Sequence, residues 1–136
     1  MKKLIVPIII IVVAVVIGFV YFNKSKVEDE VSTYVNNNTE ELVNIAKEYL
    51  GGNVVDYPED IKKVTEYQGE FTDIVIFEMN DNYGFYYSTK NLPAAYKNIK
   101  TDLIELGGNK YKWMEDTNKG TTIKIKDNWY FYKLDK

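Results

Sequence analysis

Residues 121–134, TTIKIKDNWYFYKL, hold the reading on which the fold class turns. Ile123 and Ile125 alternate with Lys124 and Lys126, the period of two expected of a half-buried strand. Asp127-Asn128 supplies two residues that tolerate positive φ, the chemistry of a tight hairpin loop. Trp129 to Leu134 then returns in aromatic residues that suit a pleated, packed surface.

Upstream the same vocabulary continues. Lys110 to Glu115 reads as a strand, turned into the next by Thr117-Asn118-Lys119-Gly120. Gly84 to Ser88 is an aromatic strand, and Asn80-Asp81-Asn82 turns into it. Thr72 to Met79 is apolar on both alternating sets, as a central strand covered on two faces would be. Leu92-Pro93-Ala94-Ala95 breaks the ladder. Before the strands, Leu42, Ile45, Ala46, Tyr49 and Leu50 make one apolar helical stripe, and Gly51-Gly52 stops it. Asn38 with Glu41 three positions later has the spacing of a capping box. A helix of about three turns is not stable alone and needs a surface to cover. The expectation is an α+β domain, an amphipathic helix on an antiparallel sheet of five to six strands.

The N-terminal part has another character. Leu4 to Phe22 is 19 residues without a charge, almost all Ile, Val, Leu, Ala or Phe. As a helix it would span roughly 28 Å, the thickness of a bilayer's hydrocarbon core. Apolarity on every face calls for lipid rather than a soluble core, which would leave one side polar. Pro7 falls in the first turn, and Tyr21 falls at interfacial depth. A cleaved signal peptide is the rival, but the run is long and ends in Val20-Tyr21-Phe22-Asn23, with no small-residue cleavage pattern. No cysteine follows for lipid attachment. Lys2 and Lys3 favour a cytoplasmic N-terminus, against a weaker pull from Lys24 and Lys26. Three segments result: 1–26 as a transmembrane anchor, 27–52 as stalk and amphipathic helix, and 53–136 as the sheet part of an extracytoplasmic domain. Val27, Val31, Tyr34 and Val35 recur at helical spacing, so the helix is expected to continue out of the membrane as the stalk.

Among 136 residues there is no cysteine, histidine or arginine. That removes disulfides, thiol nucleophiles, Cys/His zinc sites, imidazole bases and arginine clamps. Setting aside residues 1–22 leaves 15 lysines against 20 acids, a sign with no general attraction for nucleic acid or for anionic lipid headgroups. The pairs Lys62-Lys63 and Lys110/Lys112 read as solvated faces, cancelled by flanking acids.

Two aromatic runs are the candidates for recognition. If one sheet face is open, Tyr86, Tyr130 and Tyr132 form a tyrosine platform able to stack on sugars, peptides or a partner strand. The alternative is that aromatics simply pack under cover on both faces. Asp116-Thr117-Asn118-Lys119-Gly120 begins like a calcium loop but has its glycine one place early and no Glu at the twelfth position. No metal or cofactor site is expected. Asn37-Asn38-Thr39 matches a glycosylation sequon and is discounted in a bacterial-looking export context. Catalysis would have to rest on acids such as Glu70, Asp73 and Glu78, because Ser88 lacks a nucleophile elbow and any histidine. No catalytic residue is assigned.

Tyr83-Gly84-Phe85-Tyr86-Tyr87-Ser88, Pro93, Trp113 and the run Asp127 to Tyr132 together resemble a loose set of small, uncharacterised Firmicutes proteins, exported behind a membrane or lipid anchor. The resemblance covers about residues 70–134. It implies a Gram-positive envelope setting and transfers no activity. The functional expectation is a single-pass membrane protein, N-terminus inside, whose outer domain binds an envelope protein or cell-wall partner, through the tyrosine face or by strand addition at a sheet edge. A carboxylate-dependent cell-wall hydrolase and a structural spacer are the other readings.

Overall fold

A computed structural model describes residues 26–96, 102–115 and 118–135. The apolar run 4–22 lies outside them. Among the described residues no helix is long and apolar enough to cross a membrane.

Two helices are followed by seven strands. Helix α1 is described over residues 26–37 and helix α2 is Thr39–Leu50. α1 does not stand off as a stalk: its stripe lies on the sheet, with Val31 and Val35 buried. α2 buries Leu42, Ile45 and Ala46, the stripe expected of it. The bend between the helices sits at Asn38, but the capping box does not form. The Asn38 side-chain amide instead donates to the Tyr34 carbonyl at 2.8 Å, and the Thr39 hydroxyl donates to the Val35 carbonyl at 2.7 Å. With α1 ending directly before α2, the orphan carbonyls of the first helix are nearer than the orphan N–H groups of the second. Glu40 and Glu41 occupy the first turn of α2, where negative charge is favourable. At its far end the Gly52 and Asn53 N–H groups close back onto the carbonyls of Tyr49 and Glu48, at 3.1 and 2.9 Å.

The strands are β1 (Lys63–Tyr67), β2 (Ile74–Glu78), β3 (Tyr83–Ser88), β4 (Leu103–Gly107), β5 (Lys110–Glu115), β6 (Asn118–Lys126) and β7 (Trp129–Leu134). They form one antiparallel sheet in the order β1-β2-β3-β7-β6-β5-β4. The sheet therefore has seven strands rather than five or six. The unforeseen β4 carries no β-branched or aromatic run; it is a strand because β5 offers it a partner and Gly107, Gly108 and Asn109, all at positive φ, reverse the chain. The hairpin at Asp127-Asn128 is as expected, with Asn128 at φ 72°.

Both faces of the sheet are cores. On one, Val75, Phe77, Phe85, Trp129 and Phe131 meet the helices. Phe77 and Phe85 stack at 4.8 Å there. On the other, Ile74, Ile76, Tyr86, Trp113, Tyr130 and Tyr132 meet Ala94, Ala95 and Tyr96, so the segment read as a ladder breaker serves as the lid.

Gly120 corrects another expectation. It lies inside β6, paired with Trp113 and Leu134, rather than in a turn. A Cβ there would sit 2.3 Å from the Trp113 ring and 2.5 Å from the Lys133 carbonyl. In an ordinary strand alanine would gain over glycine, but here the overlap reverses the sign. Gly120→Ala is expected to lose about 1–3 kcal/mol, the usual cost of overpacking, read as a lower midpoint in urea unfolding.

Candidate functional site

The three tyrosines offered as a surface are interior. Tyr86, Tyr130 and Tyr132 are 0, 2 and 1% exposed, and the Tyr86 and Tyr130 rings stack at 5.2 Å beneath the segment 90–96. Their alternation on one sheet face is as expected; the cover over that face is what local pattern did not show. Contact with these rings would require that segment to move.

Their hydroxyls help to hold that cover down. Tyr86 Oη accepts from the Ala94 N–H at 2.7 Å and donates to the Ala94 carbonyl at 3.2 Å. Tyr130 Oη donates to the Asn91 carbonyl at 2.8 Å. Thr122 donates to the same Ala94 carbonyl at 3.0 Å and accepts from Trp113 Nε1 at 3.2 Å, which accounts for a polar side chain buried at that position. Asn118 Nδ2 reaches the Tyr96 carbonyl at 2.9 Å, and the Tyr96 hydroxyl meets the Glu78 carboxylate. Tyr132 differs: its buried hydroxyl has no hydrogen-bond partner among the described residues.

The acids singled out for catalysis do not converge as a set. Asp73 precedes β2 and Glu78 ends it, roughly 17 Å apart by strand rise, beyond the spacing of a paired-carboxylate glycosidase. Asp73 accepts from the Gly69 N–H at 3.1 Å, and Glu78 is taken by Tyr96. Asp116 and Thr117 of the calcium-like run lie outside the described residues, and among those described no cluster of acids could hold a metal ion. Lys62 pairs with Asp81 on the surface, and this contact raises its pKa.

An open concavity lies elsewhere, beside α2. It is a cleft of about 820 Å³ lined by Asn37, Asn38, Glu40, Glu41, Asn44, Glu48 and Asp56, with Ile45 and Val55 at its apolar floor. Glu48 is oriented by Asn53 Nδ2 at 3.0 Å. This site was missed from sequence, yet its signal was present. Asn37, Glu41, Asn44 and Glu48 recur at helical spacing beside the apolar stripe, a pattern that becomes a site only when the fold sets Val55 and Asp56 against it. Four carboxylates and no lysine line it, so its electrostatic preference is for a cation.

Comparison with known protein families, with curated proteins and with solved structures finds no match to this chain. Its chemistry therefore rests on the geometry above.

The tyrosines yield two expectations. Tyr86→Phe removes both bonds to Ala94 and should cost about 1–3 kcal/mol, whereas Tyr132→Phe removes a buried hydroxyl without a partner and should be neutral or stabilising. Urea unfolding of both variants would show the opposite signs. Burial also pushes the Tyr130 hydroxyl from its ordinary 10.0 up to about 12. The folded state thus keeps this proton longer than the unfolded chain. Its stabilising contribution is complete below pH 10 and is lost as pH rises from 10 through 12. Unfolding midpoints across that window should fall less steeply in Tyr130→Phe than in wild type.

Proposed function

We propose that the chain is a single-pass membrane protein, anchored through residues 4–22 with Lys2 and Lys3 on the cytoplasmic side, which presents a non-catalytic interaction domain outside the cytoplasmic membrane. The observation that carries this reading is the run Leu4 to Phe22, uncharged and apolar on every helical face. The domain it joins supports an interaction role. Tyr86, Tyr130 and Tyr132 lie in its own core, Asp73 and Glu78 stand at opposite ends of β2, and the cleft of α2 is lined by carboxylates. The partner that fits this cleft is a cationic segment of an envelope protein, lysine- or arginine-bearing, drawn in by the four acids and seated on Ile45 and Val55. Of the two edge strands available for strand addition, β1 and β4, β4 carries a bulge between Glu105 and Gly107 that interrupts regular pairing.

The absence of cysteine makes topology directly measurable. Val54, 84% exposed just beyond α2, can carry a single cysteine. Intact cells treated with a membrane-impermeant maleimide should label full-length Val54→Cys protein before lysis. Labelling only after lysis would place the domain in the cytoplasm and overturn the reading. A photo-crosslinking residue at Asn44 then tests the cleft: its adducts should weaken with rising salt and disappear in Glu48→Lys/Asp56→Lys. Adducts unchanged by both would remove the cationic partner.

A further inference from the structure

A second exposed feature lies on the helix-bearing face of the sheet, at the β4–β5 edge. Ile104 and Met114 are each 59% exposed, although Val75, Phe77, Phe85, Trp129 and Phe131 on that face are packed against α1 and α2. Ile104 pairs with Lys112, so Ile104, Lys112 and, two residues on, Met114 share one face. Lys110 lies two residues the other way on β5, and Lys119 is opposite Met114. All three lysines are exposed. The result is two bare apolar side chains set among three lysines, in a domain whose net sign is negative. Among the described residues nothing covers it.

The chain's own connectivity says what lies next to this patch. α1 ends beside the far side of the sheet, where Lys126 Nζ meets the Thr39 hydroxyl. Earlier on α1, Glu30, Val31 and Tyr34 share a pocket with Met79 and Tyr83, next to the turn between β2 and β3. The start of α1 therefore points to the end of the sheet that holds this turn. The Leu134 N–H bonds the Asn82 carbonyl there, and the Asp135 N–H bonds the carbonyl of Lys119, the residue opposite Met114. Glu28 is close enough to Lys110 for the ammonium to oppose the rise that burial gives its pKa. Only Asn23, Lys24 and Ser25 separate the apolar run from residue 26. Three residues reach at most about 10 Å, even fully extended.

We infer that Ile104 and Met114, with Lys110, Lys112 and Lys119 around them, rest on the bilayer that holds the anchor. The inference depends on residues 4–22 spanning that bilayer. The short connection then leaves the domain no room to stand clear, and the corner beside the start of α1 meets the headgroups. The apolar pair enters the interfacial layer while the lysines contact anionic headgroups, the division of labour of an interfacial protein surface. α1 is roughly 20 Å long from residue 26 to Thr39, so the same posture carries the α2 cleft away from the membrane. The domain is held at a fixed tilt, with its cation-selective cleft directed outward.

The test uses the full chain reconstituted in vesicles containing anionic phospholipid, with single cysteines carrying an environment-sensitive fluorophore. Labels at Ile104→Cys and Met114→Cys should shift to the blue and lose intensity to nitroxide-labelled lipid. A label at Asp127→Cys, exposed in the hairpin beyond Lys126, should do neither. A label at Val13→Cys, in the middle of the apolar run, reports on the anchor itself. Quenching at 13 without quenching at 104 and 114 would overturn the membrane-resting surface and leave the anchor standing. No quenching at 13 would overturn both. A blue shift at 104 and 114 that lipid nitroxide does not quench would assign the patch to a second copy of the chain and overturn the proposal. In Lys110→Glu/Lys112→Glu/Lys119→Glu, quenching at 104 should fall while that at 13 is unchanged; quenching at 104 that persists in full would remove the lysines from the contact.

Discussion

The pairing of β3 with β7 imposes the constraint from which the rest of the molecule follows. Phe85 lies opposite Phe131 and Tyr87 opposite Trp129 on one face, while Tyr86 lies opposite Tyr130 on the other. A strand pair apolar on both faces must be covered twice. The helices supply one layer, and 12 residues of α2 with the buried stripe of α1 suffice for it. No second helix pair is described for the other face, and the irregular segment 90–96 does that work instead.

An irregular segment brings backbone polar groups into the interior, and each of them needs a partner. The sheet provides several from its own aromatic side chains. Tyrosine suits this position better than phenylalanine because the ring fills the core and the hydroxyl reaches the segment above it. Tyr86 and Tyr130 bind Ala94 and Asn91 in this way, and Thr122 and Asn118 add further bonds. Tyr86 and Tyr130, which in isolation suggest recognition, are part of a solution to covering a sheet with a loop. Tyr132 marks where that solution is incomplete.

The surfaces proposed for contact lie at the periphery, away from the aromatic face. The α2 cleft collects Glu40, Glu41, Glu48 and Asp56 around an apolar floor, and the β4–β5 edge leaves Ile104 and Met114 uncovered among lysines. These two surfaces differ in charge and stand at opposite ends of α1. On the proposed reading of residues 4–22 as an anchor, that separation gives the domain an inner and an outer side.

Much of the architecture is legible in the residues alone. The alternation of Ile123 and Ile125 with lysines, the aromatic return from Trp129, the stripe from Leu42 to Leu50 and the two-sided apolarity of Thr72 to Met79 are local signals, because strand and helix periods are properties of the chain itself. What those signals could not carry is which neighbour each face meets. Gly120 is a turn residue by composition and a strand residue in fact, because only packing shows that Trp113 lies across it. Leu103 to Gly107 becomes a strand through a partner rather than a propensity. Tyr86, Tyr130 and Tyr132 share a face by alternation, but whether that face is wet depends on a segment distant from β7 in sequence folding back over it. Periodicity sorts side chains into faces; the burial of a face is decided by long-range contacts, and these exist only once the chain has folded.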